Sequence, residues 1–306
     1  MAASEVAIGI IFLSQTAVGI LGNLCLIYYH LLLCFSGNRI RLTDMILKHL
    51  IVANLSILLC KGVPQTMAAL GWKESLSTFA CKLLLYLHRV GRGVSIGSTS
   101  LLSVFQAITI SPRSSRLAEL KVKAPKYIGS SIYLTWILCM LVNSIFPMFV
   151  TGKWNNTNIT GQKDYGFCSS IRHDKIGDIL YAALLSFPDV FYVGLMLWAS
   201  SFMVLVLHRH KQQVQHIHRA NVSSRSYPES KATKTILLLV STFVGFYTLS
   251  CIFQVCLSLI DYPNLVLMHT TAIFAGCFPA VSPFLLMSCD SSVSSHCFAW
   301  IKNRIP

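Results

Sequence analysis

Charge is what this 306-residue chain has least of. Asp, Glu, Lys and Arg make up 12% of it, against 54% apolar residues and a mean hydropathy of +0.61. A soluble domain of this size carries roughly twice that charged fraction. Acids are scarcer than bases, 11 against 25, for a formal net charge of +14. High apolarity with high basicity excludes a disordered chain, a collagen and an ordinary cytosolic enzyme. A nucleic-acid binder is not expected either, because its bases would share one face instead of lying between long apolar runs. Catalytic signatures are also missing. No His-Glu-x-x-His, paired-carboxylate or nucleophile–base motif occurs, so neither an enzyme nor a resident cofactor or metal is expected. The leading residues Met1 to Val6 lack the basic segment of a signal peptide, so the first apolar stretch is expected to act as its own insertion signal.

What the chain does have is seven long apolar stretches, at about 7–35, 45–70, 81–110, 127–150, 179–207, 235–260 and 265–288. Each reaches the ~20 residues a helix needs to cross a bilayer. They are too long and continuous for barrel strands of about ten alternating residues. The fold class expected is therefore all-α, a single seven-transmembrane helix bundle spanning residues 1–306. Loop charge orients it. The segments 36–44, 111–126, 208–234 and the tail from 289 hold fifteen Lys and Arg against four acids. The N-terminus with 71–80, 151–178 and 261–264 holds five against six. Positive loops stay inside, so the N-terminus is extracellular and the C-terminus cytoplasmic.

Cysteine usage follows the same map. Of eleven cysteines, Cys81 and Cys168 alone fall on the expected outer side, where disulfides persist. A bridge between them would tie the outer end of the third helix to the 151–178 loop. That loop also carries two glycosylation sequons, at Asn155 and Asn158. The sequons at Asn54 and Asn221 fall in a helix and on the inner side, where they are not expected to be used. Asn54, at mid-helix, is expected to bond to another helix instead.

Ionisable residues inside spans are costly and face the bundle interior or water. At 1.5 Å per residue, Lys61, Arg92 and Asp189 each lie about 16 Å below the outer surface, and His88 about 10 Å. Cys81, His88 and Arg92 share one stripe of the third helix, and Arg89 flanks it. Asp189 is expected to pair with Arg92 or Lys61. Three bases against one acid leave a positive surplus, so at least one base is expected to meet water or an anion. The ligand-binding candidates are therefore Lys61, His88, Arg89, Arg92 and Asp189. Close packing is the expected role of the small residues from Gly91 to Ser100, and kinks are expected at Pro64, Pro188, Pro279 and Pro283. The histidines 208, 210, 216 and 218 sit in a basic inner loop without acid or thiol ligands, and no metal is expected there. Cys289 and Cys297, next to the inner surface, are candidates for palmitoylation.

The outline of seven helices, outer N-terminus and a bridge from helix three resembles a G-protein-coupled receptor. Longer segments narrow the resemblance. They are His49-Leu-Ile-Val-Ala-Asn54, Lys61-Gly-Val-Pro-Gln-Thr-Met-Ala-Ala69, His88-Arg-Val-Gly-Arg-Gly-Val94, Phe105-Gln-Ala-Ile-Thr-Ile-Ser-Pro112, Ala118-Glu-Leu-Lys-Val-Lys-Ala-Pro125 and Phe278-Pro-Ala-Val-Ser-Pro-Phe284. Together they resemble vomeronasal type-1 receptors over nearly the whole chain. The rhodopsin-like acidic-Arg-aromatic triplet is replaced here by Phe105-Gln106-Ala107. The Cys-Trp-x-Pro and Asn-Pro-x-x-Tyr motifs are absent as well, so activation switches known elsewhere do not transfer. No lysine lies in 265–288, which excludes a retinal Schiff base.

The resemblance implies a chemosensory receptor in the plasma membrane of vomeronasal or other chemosensory neurons. Its partners would be a small, pheromone-like, largely apolar ligand in the outer half, a heterotrimeric G protein of the inhibitory class, and membrane lipids. A bitter-taste-type receptor is the nearest alternative within the class. A multi-pass transporter is further off, since seven helices do not form two equal repeats.

Overall fold

The computed structural model describes residues 3–36, 41–72, 76–111, 117–152, 162–164, 168–171, 175–217, 228–259 and 265–289. Its helices are α1 (Ala3–Phe35), α2 (Leu42–Ile57), α3 (Val63–Ala69), α4 (Thr78–Ile110), α5 (Leu117–Asn143), α6 (Lys175–Ile217), α7 (Pro228–Leu259) and α8 (Leu265–Cys289). A π-helical turn at Leu58–Gly62 joins α2 to α3 in one rod, so the eight segments make seven rods. Six of these are long and apolar enough to cross a membrane, and α7 contributes the described apolar stretch Leu237–Ser250. Large apolar side chains such as Leu21, Leu134, Phe187 and Val190 stand exposed on the outer surfaces of the rods. That suits a lipid-facing surface and would be a liability in water.

The all-α reading holds for the bundle, and the loop after α5 adds a small sheet to it. Strands β1 (Val150–Gly152), β2 (Gln162–Asp164) and β3 (Cys168–Ile171) form an antiparallel sheet in the order β1-β3-β2. Cys168, opposite Gly152 in the register, is bonded to Cys81 at the start of α4, with Cα atoms 5.8 Å apart. Runs of three or four residues are too short to signal a sheet by alternation; the bridge to α4 is what gives β3 a place to pair. Asn155 and Asn158 lie outside the described residues.

Lipid is as apolar as leucine, so helix association in a membrane rests on close packing and interhelical hydrogen bonds. Both converge on α4, which packs against α2, α5 and α6. Its segment Gly93–Ser100 is buried without a break. Three of its glycines mark close approaches. A Cβ on Gly91 would lie 3.1 Å from the Ala53 carbonyl, one on Gly93 2.7 Å from Cys139 Sγ, and one on Gly97 would clash with the Thr135 methyl. On the same helix, Ser95 donates to Asn54 Oδ1 at 2.9 Å, while Asn54 Nδ2 donates to Ser282 at 3.0 Å. These two bonds link α4, α2 and α8. Trp136 Nε1 donates to His49 Nδ1 at 3.2 Å, joining α5 to α2. Below these contacts Ile46, Leu50, Ile96, Ile132, Met196 and Leu239 form a core drawn from five helices.

Proline explains two local departures from regular helix. Pro64 has no N–H to give to the carbonyl of residue 60, and its ring crowds that carbonyl. The chain widens there by one residue: Val63 N–H bonds Leu58 O, a five-residue step, and Lys61 sits inside the widened turn. Pro283 likewise leaves the Pro279 carbonyl without its helical donor. Asn23 Nδ2 on α1 fills that role at 2.9 Å, so an expected kink becomes a helix-to-helix contact.

The Gly97–Thr135 approach gives a direct test of packing. Gly97→Ala is expected to lower thermal stability in detergent by about 1–3 kcal/mol, the usual cost of overpacking. Thr135→Ser removes the opposing methyl but keeps the hydroxyl, and is expected to restore most of that loss in the double variant.

Candidate functional site: a charged cluster in the outer half of the bundle

The bridge to β3 sets the depth of α4. His88 and Arg92 follow Cys81 by seven and eleven residues, about two and three turns down the same face. Asp189 comes from α6, immediately after Pro188, and Tyr247 from α7. The structure joins these three elements at one point. Arg92 Nη2 lies 3.2 Å from Asp189 Oδ2. The Tyr247 hydroxyl donates to the same carboxylate oxygen at 2.6 Å, and Arg92 Nη2 donates to the tyrosine oxygen at 3.0 Å. The guanidinium also lies over the tyrosine ring, 4.9 Å from its centroid. Between the two acceptable partners for Asp189, the structure selects Arg92. A charge-assisted triad of this kind holds α4, α6 and α7 together.

Arg89 is turned elsewhere. Its Nε donates to Asn143 Oδ1 at 3.0 Å, and its guanidinium covers the Phe146 ring at 4.6 Å. It therefore serves the α5 side of α4, one residue after His88 but on another face. Lys61 lies on a third side, in the π-turn against α1 and α8. Of the five candidates, then, Arg92 and Asp189 are in contact. Lys61 and His88 share a cavity wall, and Arg89 stands apart from both. His88 is 8% exposed and its Nδ1 has no hydrogen-bond partner among the described residues.

Two cavities meet at His88. The first, about 20 Å³, lies between α1, the π-turn and α8, with Gln15, Thr16, Lys61, Gln65 and Gly276 in its wall. The second, about 40 Å³, lies between α4, α7 and α8, with Arg92, Ser95 and Ser250 as its polar groups. Phe243, Phe246, Phe274 and Phe278 supply its apolar wall. These rings pack on one another, Phe243 edge-on to Phe278 at 4.5 Å and stacked on Tyr247 at 5.6 Å. Cavities of this size hold a few waters, whereas small-molecule pockets run to roughly 300–1,000 Å³. An organic molecule would need more room here than these walls leave.

Tyr247 and the phenylalanines of α7 and α8 are absent from the sequence-derived candidates. One signal was available for Tyr247: a tyrosine hydroxyl deep in a span free of acids and bases needs a partner from another helix. The phenylalanines carry no such signal, since an aromatic in a span is equally at home facing lipid. Among the other residues singled out above, His208 interacts with Gln212 at 3.0 Å. His218 and Cys297 lie outside the described residues.

The triad predicts strong coupling. Tyr247→Phe removes a hydrogen bond to a charged group and is expected to cost about 1.5–3 kcal/mol in ligand-free thermal unfolding. Arg92→Met and Asp189→Asn are each expected to destabilise by leaving the other group without its partner. The double variant is expected to lose less than the sum of the two, with a coupling energy on the order of 1–3 kcal/mol.

Comparison with known proteins places this geometry in context. A model of the vomeronasal organ pheromone receptor family matches residues 6–299. The chain is 61% identical to the human protein named vomeronasal type-1 receptor 4, over 98% of this chain and 99% of that one. It is 56% identical to human vomeronasal type-1 receptor 2, over 93% and 72%. A more distant relative, the zebrafish olfactory receptor class A-like protein 1, is 32% identical over 94% and 90%. With seven rods, a capped outer end and a match along nearly its whole length, the chain belongs to the vomeronasal type-1 receptor family of multi-pass chemosensory receptors.

Proposed function

We propose that the chain binds a small, largely apolar ligand in the outer half of its bundle and passes the signal to a heterotrimeric G protein. The Arg92–Asp189–Tyr247 triad beside an aromatic cavity is the observation that carries this reading. It offers a cation and a hydroxyl to an acidic or acceptor group, while the four phenylalanines suit an apolar body. The polar wall comprises His88, Arg92, Ser95, Tyr247 and Ser250, with Asp189 held behind it by Arg92 and Tyr247, Lys61 on the far side of His88 and Arg89 turned toward α5. A ligand acid that draws Arg92 away from Asp189 loosens the tie between α4 and α7. The ligand thereby favours a bundle state in which α7 sits differently, and only such differential affinity can shift a two-state equilibrium.

At the inner end, 111–126 and 208–234 carry eleven Lys and Arg. Lys123, Lys126 and Arg209 are exposed there. This basic face suits anionic lipid headgroups at ~1 kcal/mol per base. In this reading it also docks a G protein of the inhibitory class, at the plasma membrane of chemosensory neurons. Asn155 and Asn158 carry glycans on the outer loop.

A cyclic-AMP assay in cells expressing the chain with an inhibitory G protein tests the reading. The panel consists of small apolar molecules in matched carboxylic acid, alcohol and hydrocarbon forms. Acids or alcohols are expected to respond and hydrocarbons not. Arg92→Ala, checked for surface expression, is expected to weaken an active acid at least tenfold, about 1.4 kcal/mol. Unchanged potency would overturn the assignment. In the same cells, Asn155→Gln with Asn158→Gln is expected to abolish the mobility shift on N-glycosidase treatment; a shift that survives the pair excludes these two asparagines as the glycan sites.

A further inference from the structure

The Arg92 triad accounts for Asp189 completely and leaves Lys61 unaddressed. Lys61 projects from the π-turn into the first cavity and has no hydrogen-bond or ion-pair partner among the described residues. Across the same cavity stands the ring of His88, whose Nδ1 is likewise without a partner among them. No carboxylate of the described residues lines the cavity. Its remaining polar wall is neutral: Gln15, whose amide N–H is already given to the Ile273 carbonyl at 2.9 Å, Gln65 and the Thr16 hydroxyl, which pairs with Thr66. A partly buried ammonium at membrane depth without a counter-charge is costly.

We propose that this cavity, walled by α1, the π-turn, α4 and α8, is a binding site for a single small inorganic anion, chloride under extracellular conditions. Lys61 supplies the counter-charge, and His88, whose ring forms part of the wall, supplies an imidazole N–H. The cavity of about 20 Å³ suits one occupant of roughly water's size better than phosphate, sulfate or an organic acid. A water molecule would satisfy His88 but not the charge of Lys61. A metal cation is disfavoured, because the wall offers a lysine and no acid.

The cavity wall is closely packed at two points, where a glycine faces a side chain of α1. A Cβ on Gly62 would lie 2.9 Å from the Thr16 hydroxyl, and one on Gly276 3.0 Å from the Gln15 carboxamide. Because α1, α4 and α8 all contribute, a bound ion ties α1 and α8 to the helix that carries Arg92. The organic ligand's body belongs to the second cavity, on the other side of His88.

The test uses the purified full-length receptor in detergent, with neither odorant nor G protein, so it stands or falls separately from the receptor reading. Thermal unfolding is followed at constant ionic strength while gluconate is exchanged for chloride. The melting temperature is expected to rise with chloride along a saturating curve, by about 2–6 °C at saturation, with bromide substituting. Lys61→Met, which keeps the length of the side chain, is expected to abolish the dependence, and His88→Phe to weaken chloride severalfold. Equal melting in chloride and gluconate overturns the site, as does full chloride dependence in a folded Lys61→Met protein. If Lys61→Met does not fold, chlorine NMR on the wild-type protein decides: saturable line broadening reversed by bromide and weakened in His88→Phe supports the site, and its absence overturns it.

Discussion

Helix α4 can serve as the axis of the bundle because seven of the ten residues from Gly91 to Ser100 are Gly, Ser or Thr. Gly91 lies against the α2 backbone, and Gly93 and Gly97 against α5. In lipid no hydrophobic force draws apolar helices together, so the depth of such approaches sets how much dispersion contact each pair gains. Once α4 is that close to α2, Ser95 reaches Asn54, and Asn54 in turn reaches Ser282 on α8. The polar links among three helices are therefore a consequence of the thin face of α4. A larger residue at any of the three glycines would lengthen them.

The same closeness shapes the outer half. With α4 central, its side chains radiate toward different neighbours, and three bases within a few turns do not meet each other. Arg89 goes to Asn143 and Phe146, Arg92 to Asp189 and Tyr247, and Lys61, from α2's extension, to the cavity by His88. Like charges are thus parted by protein, and the one acid goes to the base that also has a tyrosine beside it. The consequence is a bundle tied by a polar triad, which in the proposed function is the contact that a ligand disturbs. Small cavities flank that triad in place of an open pocket.

Much of this was legible residue by residue. Long apolar runs placed the rods, because in a bilayer each backbone donor must be satisfied within its own helix. The loop charges oriented them. Cys81 and Cys168 stood out by compartment, and Asp189 by its isolation at membrane depth. Other features had no local signature. Tyr247 reads as one aromatic among several in α7. The choice of Arg92 over Lys61 depends on helix rotation, and the π-turn before Pro64 alters that rotation just where Lys61 sits. Arg89 is sequence neighbour to His88, yet faces Asn143, since adjacent residues on a helix point about 100° apart.

Residues and short segments were enough to dictate that this chain spans a membrane seven times, which way it faces, and that its outer half holds more positive charge than it can pair. Hydropathy, loop charge and ion desolvation act before any helix meets another. Packing of the helices then settled which acid meets which base, which aromatic wall stands beside them, and that Lys61 and His88 line one cavity. Those outcomes depend on the rotation and separation of helices far apart in the chain. Glycine contacts, proline-displaced carbonyls and one disulfide set them together, and no single segment encodes them.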